Sequence, residues 1–249
     1  MKLAIMQPTF NPWIGYFDLI DSVDTFVFLD NVQLEKRSWQ VRNKIKSNNL
    51  ELLISIPIIK TASRDNTLLC NAEVSSDKWT EKILKTIRYS YSKSMYYEDI
   101  YPFISDLVND KNDKVLSKYN TNIIETISNK IGIETNFINA SKLANLSGIK
   151  DDLLLSICKE LKCEEYISPQ GSSKYLIENN SGLKYEKENI DLFYTNYEHP
   201  NYTQLGKSFI SHIGILDLLF NEGFLNSLEI IRSGRKDNIN YKDFDFENR

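Results

Sequence analysis

The chain is poor in the residues that most readily announce a chemistry. Its 249 residues include 2 histidines, 3 cysteines and 9 glycines. Cys70, Cys158 and Cys163 are an odd set, and the last two are five apart, a spacing that fits neither a CxxC redox pair nor a zinc knuckle. Neither histidine lies near a cysteine, so no metal is expected. The few glycines form no GxGxxG and no GxxxxGK(S/T), which argues against NAD-type binding and P-loop ATP chemistry. No apolar run approaches the roughly 18 residues of a membrane span. The stretch LELLISIPII at 50–59 is short and broken by proline. The opening MKLAIMQP has one basic residue and too short an apolar run for a signal peptide. A cytoplasmic protein without membrane insertion is expected. Basic excess is missing too: 30 Lys and Arg against 34 Asp and Glu leave a net charge of -4, the wrong sign for a dedicated nucleic-acid binder.

What is present reads as α/β alternation. A short apolar strand (Leu3, Ala4, Ile5, Met6) ends in Gln7 and a loop stiffened by Pro8 and Pro12, with Trp13 and Gly15 ahead of a helix near 16–22. A strand opening into such a loop is where an open α/β sheet places its ligand, although the same pattern also makes a plain, tightly packed turn. Further strands are expected at 25–30, 50–57, 135–139, 165–168 and 190–195, and helices at 150–161, 172–178, 212–220 and 224–231. Apolar residues at three- and four-residue steps make 75–131 wholly helical, with Pro102 in a first turn and Gly132 as a stop. The expected fold is a mainly parallel, Rossmann-like sheet with flanking helices, in one α/β domain over 1–233. Residues 75–131 form a helical subdomain or insertion. The charged tail at 234–249 lacks periodicity and is expected to be mobile.

His199 is the first candidate catalytic residue. It follows a strand and precedes Pro200, and imidazole is the side chain that takes and returns a proton near neutrality. Its neighbour Glu198 would point elsewhere on an extended chain, so an orienting carboxylate would come from another element, with Asp30 the candidate. Asp30 ends the second strand, where an acid grips a sugar hydroxyl or simply caps a turn. Gln7 and Tyr16 are candidate oxyanion donors. Lys36, Arg37, Arg42 and Asn43 surround Trp39, either as a clamp for a diphosphate and a base or as a solvated charged hairpin. Ser172 and Lys174, in PQGSSKYL, could bind an anion at a helix start or act as an ordinary cap. Tyr202 and Gln204 complete the substrate-binding set. His212 reads as a packing or surface residue. The Asp151-Asp152 and Asp243-Phe244-Asp245 pairs make no convincing metal site.

Four segments carry a family likeness: MQPTFNPWIGYFDLI, FVFLDNVQLEKRSWQVRNKI, HPNYTQLGKSFISHIGILDLLFNEG and, more weakly, YISPQGSSKYL. They resemble the WbqC-like proteins, a bacterial family found mostly among surface-polysaccharide genes. The resemblance implies a transferase modifying a nucleotide-linked amino sugar for O-antigen, lipopolysaccharide or capsule synthesis. N-acyl or aminoacyl transfer from a thioester donor is the expected reaction, with coenzyme A or a phosphopantetheine carrier protein as donor. It implies no bound cofactor, a nucleotide-sugar substrate, an acyl carrier protein as partner and room for a homo-oligomer. A glycosyltransferase and a non-catalytic scaffold of polysaccharide assembly are the alternatives. More remotely, TFNPWIGY resembles the strand-loop-helix of nucleotidylyltransferases. Trp13, Ile14 and Tyr16 stand where that signature has other residues, which favours the fold over the reaction.

Overall fold

The computed structural model describes residues 1–35, 37–59, 67–75, 78–110, 113–172 and 181–244. Its centre is a six-stranded sheet of β1 (Lys2–Met6), β2 (Thr25–Phe28), β5 (Asn136–Asn139), β6 (Glu165–Ser168), β7 (Asp191–Tyr194) and β8 (Ile239–Asn240), ordered β5-β2-β1-β6-β7-β8. All neighbours run parallel except β7 and β8. The chain builds outward from β1 through β2 to β5, then returns to the other side of β1 for β6 and β7. The reversal falls between β1 and β6, and that is where such sheets open a crevice at their carboxyl ends.

Period-two alternation sorts the two faces. Leu3, Ile5 and Val27 point into one layer with Leu154, Ile157 and Tyr185, from α5 (Asp151–Glu160) and α6 (Ser181–Lys187). Ala4, Phe26 and Phe28 point into the other, larger layer. There they meet α1 (Ile14–Asp21), the three mid-chain helices α2 (Lys78–Tyr91), α3 (Tyr97–Asn109) and α4 (Leu116–Ile131), and α7 (Leu216–Ser233). The mid-chain helices thus share one core with the sheet. Leu3 and Ile5 are almost wholly buried, each contributing roughly 1.5–3 kcal/mol.

The differences from the sequence expectations have local causes. Residues 42–47 pair with 50–55 as an antiparallel hairpin, β3 (Arg42–Ser47) and β4 (Leu50–Ser55). Asn48 and Asn49 at the turn both have positive φ, at 50° and 62°, the requirement of a type I′ turn. Pro102 lies in the second turn of α3, because the helix starts early, at Tyr97. Pro102 has no N–H to give the Glu98 carbonyl, and Glu98 is an exposed residue. The tail is not loose where it is described. Lys236 N donates to Asn196 O at 3.0 Å, β8 pairs with β7, and Phe244 packs on Tyr194 with ring centroids 4.6 Å apart. The helix expected at 172–178 and the last five residues lie almost wholly outside the described residues. Gly132 ends α4 with φ 94°, as expected. Among the described residues no helix is long and apolar enough to cross a membrane.

Candidate functional site

A cleft of about 530 Å³ lies over the carboxyl ends of β1, β2 and β6. Met6, Leu29, Leu154 and Pro169 give it an apolar floor, and Gln7, Thr9, Glu35, Ser38 and Gln40 give it polar walls. Arg37 and Trp39 line its rim, and Trp39 is half exposed. One hydrogen-bonded chain organises the amides. Gln40 Nε2 donates to Gln7 Oε1 at 2.5 Å, and Gln40 Oε1 accepts from Ser38 Oγ at 2.9 Å. The loop beneath is held by buried asparagines. Asn120 Nδ2 donates to Pro8 O and Gln40 O, and Asn43 Nδ2 to Phe10 O and Asn11 O, all within 3.1 Å. The wall thus sets amides and a hydroxyl beside a cation and a half-exposed indole.

The other end of that loop carries Trp13, where both histidines of the chain converge. The Trp13 ring lies 6.0 Å from His199, near-parallel at 13°, and 4.9 Å from His212, and the two imidazoles are 4.8 Å apart between centroids. His199 Nδ1 is 2.8 Å from Pro200 O. A carbonyl oxygen only accepts, so Nδ1 holds the proton and Nε2 the lone pair. His199 Nε2 is buried without a hydrogen-bond partner among the described residues. Burial, aided by the neighbouring His212, pushes the His199 imidazole below its usual value, keeping it a free base at neutral pH.

Behind the imidazoles is a buried polar network that joins Tyr202 and Gln204, expected from the sequence, to Lys46 and Asp217, which were not. Tyr202 OH donates to Asp217 Oδ2 at 3.0 Å, and Gln204 Nε2 donates to Tyr202 OH at 3.2 Å. Lys46 Nζ donates to Gln204 Oε1 at 3.2 Å and to Ser208 O. Burial raises the Asp217 carboxyl to about 6, against the hydrogen bonds of Tyr202 and Tyr91 and the charge of Lys46. Asp217 sits alone among the apolar residues of LDLLF. That lone acid was the available signal, and it is masked in a count of apolar periodicity.

The remaining candidates divide. Gln7, Arg37 and Trp39 share the cleft, while Tyr202 and Gln204 lie beside His199. Tyr16 does not face the cleft as an oxyanion donor. Its hydroxyl is buried under α1 and donates to Gln7 O at 3.0 Å, so it supports the loop from below. Asp30 does not orient His199 either. It accepts from Ser141 N at 2.8 Å, Ser141 Oγ at 2.7 Å and Asn139 Nδ2 at 3.4 Å, because β2 abuts β5 and its terminal acid caps the turn that follows β5. Asn43 is spent on the loop carbonyls. Arg42 lies on β3 with Nε buried and unpartnered among the described residues. Lys36, Lys174 and the side chain of Ser172 lie outside what is described. Asp151 and Asp152 both receive Lys184 Nζ, at 2.8 and 2.7 Å.

A doubly wound open sheet with a polar cleft at its switch point defines a Rossmann-like α/β protein. The chain belongs to the WbqC-like protein family, which it matches over residues 7–227. It is similar to an uncharacterised protein of Mycobacterium tuberculosis, 28% identical over 223 residues, a match spanning 89% of this chain and 94% of the relative. No solved structure matches it.

Proposed function

We propose that the protein is a cytoplasmic transferase that modifies a nucleotide-linked amino sugar for surface-polysaccharide synthesis, passing an acyl or aminoacyl group from a thioester to the sugar amine. The observation that carries this reading is the switch-point cleft, where the Gln7–Gln40–Ser38 chain meets Arg37 and Trp39. Paired amides read sugar hydroxyls, the guanidinium takes phosphate oxygens in a planar fork, and the indole offers a stacking face for a base.

His199 then supplies the proton chemistry. The sugar nitrogen attacks the thioester carbonyl, the C–N bond forms, and His199 Nε2 takes the proton that the nitrogen sheds. As the C–S bond breaks, the departing thiolate takes a proton from water and the imidazole returns its own to solvent. General-base help of this kind contributes roughly 10²–10⁴-fold. The loop from Gln7 to Trp13 is at most about 20 Å long when fully extended, and the reading requires one bound substrate to reach from the cleft to the imidazole. The donor is coenzyme A or a phosphopantetheine-bearing carrier protein.

A thermal-shift panel of UDP- and dTDP-linked sugars, with and without a free amine, tests the reading. A ligand at a hundredfold excess over its Kd adds about 2.7 kcal/mol of stability. A shift confined to amino-sugar nucleotides, reduced in Trp39→Ala and Arg37→Ala, is expected. No shift with any member would overturn it.

A further inference from the structure

The chain has two histidines, 13 positions apart, and the fold brings both to one place with ring centroids 4.8 Å apart. Neither is there by drift of a loose loop. Gly214 pairs with Trp13, Ile215 N donates to Pro12 O at 2.8 Å, and Leu216 N to Asn11 Oδ1 at 3.3 Å. That backbone pairing fixes His212 against the Trp13 indole. A Cβ on Gly214 would come within 2.0 Å of the Asn11 amide, so only glycine lets the strands close. His212 itself has φ 58°, a left-handed conformation uncommon outside glycine and of the kind that concentrates at functional sites. On the other side, Glu198 N donates to Gly234 O at 2.9 Å, holding the chain that delivers His199.

The two rings occupy different environments. His199 is half buried, with Nδ1 committed to Pro200 O and Nε2 buried and without a hydrogen-bond partner among the described residues, while His212 is exposed. We propose that His199 and His212 form one two-imidazole acid–base centre, in which His199 accepts a proton at Nε2 from an amine or hydroxyl nucleophile and His212 exchanges that proton with water. Burial disfavours charge on His199, and the nearby His212 adds to that when it is protonated. Trp13 walls the pair and excludes water from one side.

The other groups facing the pair leave it isolated. Tyr202, from the same loop, is tied to Asp217 of α7, and Asp217 is answered by Lys46 of β3. Tyr197 OH donates to Ile231 O, Glu198 points to Lys236, and Arg235 is taken by Asp18 and Asp21. No carboxylate in the described residues pairs with either ring. The transferase reading contributes only the identity of the proton donor.

The test uses the full chain and no substrate. With two histidines, the imidazole Cε1–H region of an NMR spectrum holds two titrating signals. In His212→Asn, a residue suited to positive φ, the His199 midpoint moves to higher pH. In His212→Phe, which keeps a ring over His199 but removes the charge, it also moves up, separating charge from burial. If the Phe variant fails to fold, salt gives the same reading. Raising ionic strength moves the His199 midpoint up in the wild type and leaves it in place in His212→Asn. A His199 midpoint unmoved by these changes overturns the pair. A coupled titration with no nucleotide-sugar thermal shift would overturn the transferase reading and leave the pair standing.

Discussion

Trp13 and Gly15 are two positions apart, and neither works without the other. A Cβ on Gly15 would lie 2.2–2.6 Å from three atoms of the Trp13 ring, and that ring is already held among Tyr197, His199 and His212. In Gly15→Ala the indole therefore leaves the imidazoles. The fold should survive, since α1 gains a better helix former. Both histidine NMR signals should move as the ring current is lost, and turnover should fall at least tenfold. Asp217 makes a second residue-scale prediction. Its carboxyl is raised from 3.8 to about 6, so the folded state holds a proton that the unfolded chain has released. Stability from this group is present below about pH 4 and is lost as pH rises through about 6, a change on the order of 2–3 kcal/mol. Urea melts at pH 4 and pH 7 should show Asp217→Asn gaining on the wild type as pH rises. A gap that does not change with pH would exclude the shift.

At the scale of elements, the break in α7 matters most. Gly223 has φ 73° and ψ 177°, a region that only glycine occupies without strain, and a Cβ there would stand 2.7 Å from the Tyr96 ring. Gly223→Ala should cost about 3 kcal/mol or more, read as a lower urea midpoint with an unchanged slope. This break was legible in the sequence, because Asn221-Glu222-Gly223 interrupts two apolar runs. So were β1, β2, β5, β6 and β7, whose apolar residues alternate or cluster over strand length. The hairpin was half hidden: RNKIKS reads as a charged loop, and its strand character comes from pairing with β4 and from Asn43 and Lys46 turning inward to partners far along the chain. The cleft was legible through its loop, with Gln7 and Trp39 named from their context. Gln40, Lys46 and Asp217 were not: Gln40 and Lys46 acquire their roles from partners more than thirty positions away, and Asp217 from Tyr202, 15 positions back on another segment.

The whole molecule is closed by its C-terminal segment. Arg235 reaches back across the chain to α1, where Nε donates to Asp18 Oδ1 at 2.7 Å and Nη2 to Asp21 Oδ2, while Arg232 takes the other Asp21 oxygen at 2.7 Å. Both carboxylates are more than nine-tenths buried. Lack of periodicity made this segment look idle, because its contribution is long-range charge pairing and one short strand rather than a repeating apolar face. Removing Arg235 leaves Asp18 buried beside Asp21 with no cation of its own. The penalty for orphaning a buried charge is about 3–5 kcal/mol, and Arg235 is a third exposed, so Arg235→Ala should cost near 3 kcal/mol or somewhat less at pH 8. The pH dependence has a definite sign. Burial already raises Asp18 to about 6, with Arg235 the main opposing influence, so the variant's Asp18 moves higher still and stays protonated further up the scale. A folded-state value above the unfolded one means stability is lost as pH rises through it. The variant should therefore be penalised little at pH 4–5 and most at pH 8, as measured by urea midpoints at each pH. Because Glu198 N and Asn196 O are bound to Gly234 and Lys236, the same substitution should broaden the His199 NMR signal even at pH 5. A uniform penalty across pH, with His199 undisturbed, would mean that the segment is a surface appendage and not the strap that holds the imidazole in place.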